Sequence, residues 1–230
     1  MLVTCEHGGN QVPPCYRPLF RSLLRPLKTH LGYDVGALRM AQEMAAAFAV
    51  PLIASTVTRL LVDLNRSIGH ARLHAKPVRD AQREQREQII RQYYLPYRAL
   101  VENLVRMAIA HRRGVIHISS HSFAPELKGK ERTADVGLLY DPARSGEVRL
   151  CERWKASLER AAPQLRIRRN YPYAGKDDGF MRYLRARYRS AAYIGIEIEI
   201  NQAIVSGAPR QWAELRSTII NSLRVTLASA

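Results

Sequence analysis

Cysteine is scarce in this chain: Cys5, Cys15 and Cys151 are the three among 230 residues, and no Cys-x-x-Cys spacing occurs. A paired disulfide framework is excluded, and free thiols fit a reducing compartment. Long apolar runs are missing too, since nothing approaches the roughly 20 residues of a membrane span. The first strand-like run begins almost at Met1, leaving no room for a signal peptide, so a cytoplasmic protein with no membrane partner is expected. Repeats, low-complexity tracts and linkers are absent, and the chain reads as one domain over residues 1–230. Acidic residues are outnumbered, 20 Asp+Glu against 36 Lys+Arg, for a net charge of +16. Such a balance suits nucleic acid, an anionic membrane surface or an anionic small molecule. The basic residues are spread along the chain, many at helix-surface spacing as in "RDAQREQREQ", and no nucleic-acid-binding motif appears. A specific nucleic-acid partner is therefore not expected, and a basic nucleic-acid-binding protein without catalysis is the alternative reading.

What is present is a hydrophobic fraction of 47%, enough for a sizeable core. Strand-like runs cover Leu2 to Cys5, Leu52 to Val57, Leu60 to Leu64, Val115 to Ser119, Val136 to Tyr140 and Tyr193 to Ile200. Helical periodicity lies between them. Ala37, Met40, Ala41, Met44 and Phe48 give one helix. A longer pattern runs from about Arg79 to Arg112, with Tyr93, Tyr97, Leu100, Leu104 and Ala108 on one face and Pro96 kinking or splitting it. Leu150, Trp154, Leu158 and Ala161 give a third helix, and Trp212, Leu215, Ile219 and Leu223 a fourth. Strands alternating with helices predict an α/β fold: a mostly parallel or mixed twisted sheet with helices on both faces.

In such a sheet the functional loops gather at the carboxyl ends of the strands. Odd polar residues fall there. The first strand ends in "EHGGNQVPP", with His7 on a Gly-Gly turn. "RLLVDLNRSIGH" leads into Asp63, Asn65 and Arg66, and "GVIHISSHSF" into His121. "YIGIEIEINQ" carries Glu197 and Glu199 in an otherwise apolar strand. Two imidazoles from separate strand ends plus a carboxylate are the inventory of a catalytic zinc site, which keeps one position for water. His117 competes as a ligand but lies deeper in its strand. Glu197 and Glu199 share one strand face, and burying either calls for a positive neighbour, a metal or an arginine. A carboxylate beside such a metal can act as general base. Arg66 has the planar fork that grips a carboxylate, and Asn65 can add an amide donor. Asp34 heads the first helix, where it could cap the helix or supply a ligand oxygen. Glu6 is a further candidate, although strand alternation points it away from His7. "NYPYAGKDDGF" reads as a loop that could lie over the site, with Tyr173 donating to a developing oxyanion and Arg132 adding charge.

"HGGNQVP", "GYDVGA", "TRLLVDLNR", "YYLPYRALV", "SSHSF", "RTADVGLLYD", "NYPYAGKDDGF" and "IEIEINQ" occur in an order that resembles the N-formylglutamate amidohydrolase family, a branch of the zinc-carboxypeptidase-like hydrolases. The resemblance implies a zinc-carboxypeptidase-like fold and one Zn²⁺. It implies hydrolysis of an N-formyl or N-acyl amino acid, in the simplest case N-formylglutamate as in histidine breakdown. Another acylated amino acid or a small peptide is the enzymatic alternative. By the same resemblance His7 and His121 are metal ligands, Asn65 and Arg66 hold the carboxylate of a small anionic amino-acid-derived substrate, and Glu199 or Glu197 is the base, Glu199 being favoured. One departure stands out. The carboxypeptidases place a glutamate ligand three residues after the first histidine, where this chain has Asn10, so the third ligand is open between Asn10, Asp34 and another group.

Overall fold

The computed structural model describes residues 1–111 and 114–228. The chain opens with β1 (Leu2–Cys5) and two short 3-10 turns, then α1 (Ala37–Phe48) and β2 (Leu52–Ala54). Helices α2 (Lys76–Arg79), α3 (Arg83–Ile89) and α4 (Leu95–Ala110) follow, with a π-helical turn over Ile90–Tyr94 between the last two. Strand β3 (Val115–Phe123) leads to the small hairpin β4 (Glu126–Leu127) and β5 (Lys130–Glu131), then β6 (Val136–Leu139). The remainder is α5 (Ser145–Ala161), β7 (Ile167–Arg169), α6 (Phe180–Arg185), β8 (Tyr193–Asn201), α7 (Gln202–Val205) and α8 (Pro209–Ala228). The main sheet runs β2-β1-β3-β8-β6-β7. Strands β2, β1, β3 and β8 are mutually parallel, whereas β6 pairs antiparallel with β8 and parallel with β7.

Strand parity explains the two layers. Ile196, Ile198 and Ile200 of β8 join Ile118, Val3 and Cys5 on one sheet face. Met40, Met44, Trp154, Leu158, Ile219 and Leu223 of α1, α5 and α8 cover that face, and Trp154 is fully buried with its indole N–H donating to Ser222 Oγ at 3.0 Å. The other face, formed by the odd positions of β3 and β8 and the even ones of β1, packs α4 and α6 through Tyr97, Val101, Val105, Phe180 and Leu184. This second face carries the polar residues. His117 Nε2 meets Thr4 Oγ1 at 2.9 Å and its Nδ1 meets Tyr193 Oη at 2.8 Å, a buried trio in which both ring nitrogens are satisfied. No helix among the described residues is long and apolar enough to cross a membrane.

Several expected elements differ. Leu60 to Leu64 is not a strand: Leu61 to Leu64 are buried and Leu60 partly so, but Leu61 N–H donates back to Thr58 and Asp63 N–H to Leu73, so the segment is tied into turns. The strand expected over Leu52 to Val57 stops at Ala54, and β7 had no strong apolar signal. Strand β3 runs to Phe123, which places His121 inside it rather than beyond its end. The long helix is three pieces, and its expected terminus, Arg112, lies outside the described residues. The π-helical turn inserts a residue into the helical register. It rotates the buried stripe of α4 onto Tyr97, Val101 and Val105, and Leu100 is left 49% exposed.

Candidate metal centre

The turn after β1 is built to cross the end of β2. Gly8 N–H donates to Ser55 O and Gln11 N–H to Thr56 O, and a Cβ on Gly9 would stand 2.5 Å from the Thr56 carbonyl oxygen. Only glycine allows that approach. His7 is thereby carried over the sheet, and its own carbonyl accepts the Asp34 N–H at 2.9 Å. Asp34 does not cap α1. The cap is Gly36 in the left-handed region, φ 80°, and no side chain caps the helix. Strand β3 holds this segment with two hydroxyls, Ser120 Oγ donating to Ala37 O and Ser122 Oγ to Val35 O. The Asp34 carboxylate is freed for another use.

That use is visible in three distances. Asp34 Oδ2 stands 2.8 Å from His121 Nδ1 and 3.4 Å from His7 Nδ1. The two imidazole rings meet edge to face with centroids 5.1 Å apart. One donor atom each from His7, Asp34 and His121 lies within 4.8 Å of the other two, and all three residues are buried. The outer nitrogens are occupied. His7 Nε2 meets Asp63 Oδ1 at 2.7 Å, while His121 Nε2 meets Ser119 Oγ at 2.9 Å and Glu6 Oε2 at 3.2 Å. Carboxylates behind both rings fix the orientation of the nitrogens that face inward. Arg59 ties the arrangement together, reaching Asp63 Oδ2 from Nη2 at 2.7 Å and Asp34 Oδ1 from Nη1 at 3.2 Å.

Electrostatics follow from burial and these pairings. Burial alone would push the Glu6, Asp34 and Asp63 carboxyls up. Glu6 is instead pulled well below the carboxylate range by His121 and the Ser119 hydroxyl, Asp34 by His7, His121 and Arg59, and Asp63 by Arg59 and His7. Burial would lower His121, but its bonds to Asp34 and Glu6 hold it well above the imidazole range. Glu199 behaves oppositely. Burial pushes its carboxyl up to about 8, assisted by the charges of Asp34 and Glu197 and opposed by His121 and Arg59. Its Oε2 is buried with no hydrogen-bond partner among the described residues.

An orphaned carboxylate oxygen beside two imidazoles and an aspartate is what a divalent cation would satisfy. Borderline nitrogen and hard oxygen donors in this ratio suit zinc or a similar first-row ion. The donor set therefore fits a metal.

The expected residues are distributed as follows. His7, Asp34, His121, Glu197 and Glu199 line one cleft of about 1140 Å³, together with Arg59, Asp63, Asn65, Arg66 and Tyr173. Register pairs His121 with Glu199 and Ser119 with Glu197 across β3 and β8. Asn10 lies elsewhere: its amide donates to Leu27 O at 3.0 Å, and it is neither in the metal-competent group nor a wall of the cleft. An amide already spent on a backbone carbonyl is a poor ligand, and Asp34 stands where the open third ligand was sought. Asn65 Oδ1 accepts the Phe180 N–H at 2.7 Å. Arg66 donates from Nη1 to the Asp178 carbonyl, and its own carbonyl accepts Tyr94 Oη at 2.7 Å and Arg98 Nη1 at 3.0 Å. Tyr173 is 44% exposed, with its hydroxyl accepting from Arg132 Nη1 at 3.2 Å, so Arg132 acts through the tyrosine. Asp63 was singled out at a segment end, but its bond to His7, the part played by Arg59 and the contact of Glu6 with His121 were not foreseen. Only the Asp of "DLNR", four residues after an arginine, could have hinted at them.

A family model described as N-formylglutamate amidohydrolase matches residues 1–206. Among solved structures, the gene product Atu2144 from Agrobacterium tumefaciens superposes with a TM-score of 0.85 at 24% identity, covering 99% of this chain and 90% of that one. The N-formylglutamate amidohydrolase from Ralstonia eutropha JMP134 gives a TM-score of 0.73 at 19% identity, covering 99% and 93%. At these identities the likeness establishes the shared α/β fold. No curated protein matches.

Proposed function

Because the chain belongs to the N-formylglutamate amidohydrolase family, and is thereby an amide hydrolase of that type, we propose that it cleaves an N-formyl or N-acyl amino acid, such as N-formylglutamate, using zinc held by His7, Asp34 and His121. The observation that carries this reading is Asp34 Oδ2 lying between two Nδ1 atoms whose rings are braced from behind by Asp63 and Glu6. When bound, zinc supplies a Lewis acid for the acyl carbonyl and lowers the pKa of water at the site.

The remaining work falls to this chain's own groups. Glu199 is the base: its buried Oε2 has no partner among the described residues, and a nearby cation would draw its raised proton affinity down and leave it ionised at neutral pH. It takes the proton from the attacking water and passes it to the nitrogen of the departing amine. Glu197 sits one β-repeat away on the same face and stands as the second candidate for that role. Arg66 keeps Nε and Nη2 without partners among the described residues. With its main chain pinned by Tyr94 and Arg98, it presents those donors to a substrate carboxylate. Asn65 has its Oδ1 fixed by the Phe180 amide and its Nδ2 available as a second donor. Tyr173 accepts from Arg132 and so retains its hydroxyl proton for the oxyanion.

The test is metal analysis coupled to a panel of N-formyl and N-acyl amino acids. One bound zinc and release of formate from an acidic formyl amino acid are expected, with both lost in His121→Ala. A full metal complement in that variant would remove His121 from the ligand set.

A further inference from the structure

The cleft is larger than the reaction needs. Pockets of roughly 300–1,000 Å³ enclose drug-sized ligands, and a single formylated amino acid is far smaller than the roughly 1140 Å³ present. A second depression of about 660 Å³ adjoins it, and the two share His70, Ala71, His74 and Arg79 as walls. The two depressions lie side by side, from the metal group past Arg66 to the surface of α2 and α3.

Acidic walls, Asp177 and Asp178 among them, lie near Arg66, where the Asp178 carboxylate is bonded to Ser67 and draws on the charges of Arg66 and His70; beyond that point the positive charge prevails. Arg72 and Arg79 are exposed walls beyond Arg66, and neither pairs with a carboxylate among the described residues, Arg79 donating only to the Ala71 carbonyl. Lys76 is paired with Asp80, and Arg83 and Arg91 with Glu87. Arg86 spends its guanidinium on the carbonyls of Arg79 and Ala81, leaving the groove still net positive. Its floor is apolar, with Leu73, Ile90 and Ile68, the last 62% exposed. Unpaired guanidinium groups over an apolar floor favour an extended ligand that bears carboxylates on methylene stems.

We propose that the acylated amino acid of the reading above is the first residue of an acylated acidic peptide, the preferred substrate. Its first carboxylate lies at Arg66, and those of the following residues lie at Arg72 and Arg79. The inference rests on the amide-hydrolase reading above and specifies its substrate class.

The experiment compares N-formyl-Glu-Glu-Glu with N-formyl-Glu-Gln-Gln, equal in length and unequal in charge. Dissociation constants are measured by calorimetry on metal-free Glu199→Gln protein, in which turnover is slowed, and kcat/KM on the wild type. Two exposed charge pairs give roughly a tenfold preference for the triglutamate. The preference should shrink toward unity between about 50 mM and about 500 mM salt, as screening predicts. In Arg72→Ala/Arg79→Ala protein the ratio of the two constants should fall to near one. Equal affinity for the two peptides in the unmodified groove, or a preference that survives the double substitution, overturns the proposal. A charge preference in binding without turnover of any formyl compound would uphold the acidic-peptide groove and sink the hydrolase reading instead.

Discussion

Removal of Asp63 probes the metal centre without touching a proposed ligand. Its Oδ1 holds His7 Nε2 at 2.7 Å and accepts the Asn65 N–H at 3.0 Å, while Oδ2 takes two bonds from Arg59. Asp63→Ala deletes all four bonds. Asp63→Asn keeps an oxygen able to accept from His7 but removes the negative charge behind the ring. Loss of a carboxylate behind a ligating imidazole costs 10–100-fold in metal affinity. We therefore expect about a 100-fold loss in the alanine variant and about tenfold in the asparagine variant, the former being ~2.7 kcal/mol. The assay is competition for zinc against a chromophoric chelator, with thermal unfolding of the metal-free proteins as control. The alanine variant should also lose ~1–3 kcal/mol of stability, because Arg59 keeps one of its two carboxylate partners and the Asn65 amide loses its acceptor. Identical zinc affinities in wild type and Asp63→Ala would show that His7 is not oriented for a metal, and the bracing argument would fail.

Other outcomes follow from the same geometry. Glu199→Gln should lower kcat by 10²- to 10⁴-fold while zinc content stays at the wild-type level; a rate within tenfold of wild type would move the base to Glu197. Arg66→Ala should chiefly raise KM for acidic substrates, and an unchanged KM across acidic and neutral formyl amino acids would take the clamp away from Arg66. His117 is held neutral by burial, its proton affinity depressed to about 4, with Glu6 opposing and Arg185 assisting. The unfolded chain therefore binds a proton below about pH 6.5 that the native chain refuses. Stability contributed above that pH is lost as pH falls toward 4, by ~3 kcal/mol at completion. Urea unfolding of wild type and His117→Asn at pH 7 and 4.5 should show this extra acid loss only in the wild type, and parallel losses would refute it.

Much of this arrangement was readable from residue order, and the exceptions share a cause. Strand ends at His7 and beside Glu197 and Glu199 stood out because charged or ionisable groups interrupted apolar runs. The helices α1, α5 and α8 stood out because each buries one stripe on the same sheet face. What escaped depends on contacts distant in sequence. Leu60 to Leu64 is apolar because it is buried, yet its backbone is satisfied by Thr58 and Leu73, and only the tertiary structure shows that. Alternation was expected to point Glu6 away from His7, but the turn after β1 carries His7 over the sheet, and both residues meet His121, Glu6 through the β1–β3 pairing. The π-helical turn before Pro96 shifts the register of α4, so a face extrapolated from Tyr93 ended on exposed Leu100. Asp34 had a local explanation as a helix cap; Gly36 took that position, and the carboxylate went to the histidines.

The most direct measurement is anomalous X-ray diffraction at the zinc edge from crystals grown with the metal. The account predicts a single strong peak bounded by His7, Asp34 and His121, with Glu199 alongside. A peak at Asn10, at His117 or at the protein surface, with that trio still bonded to itself, would contradict it.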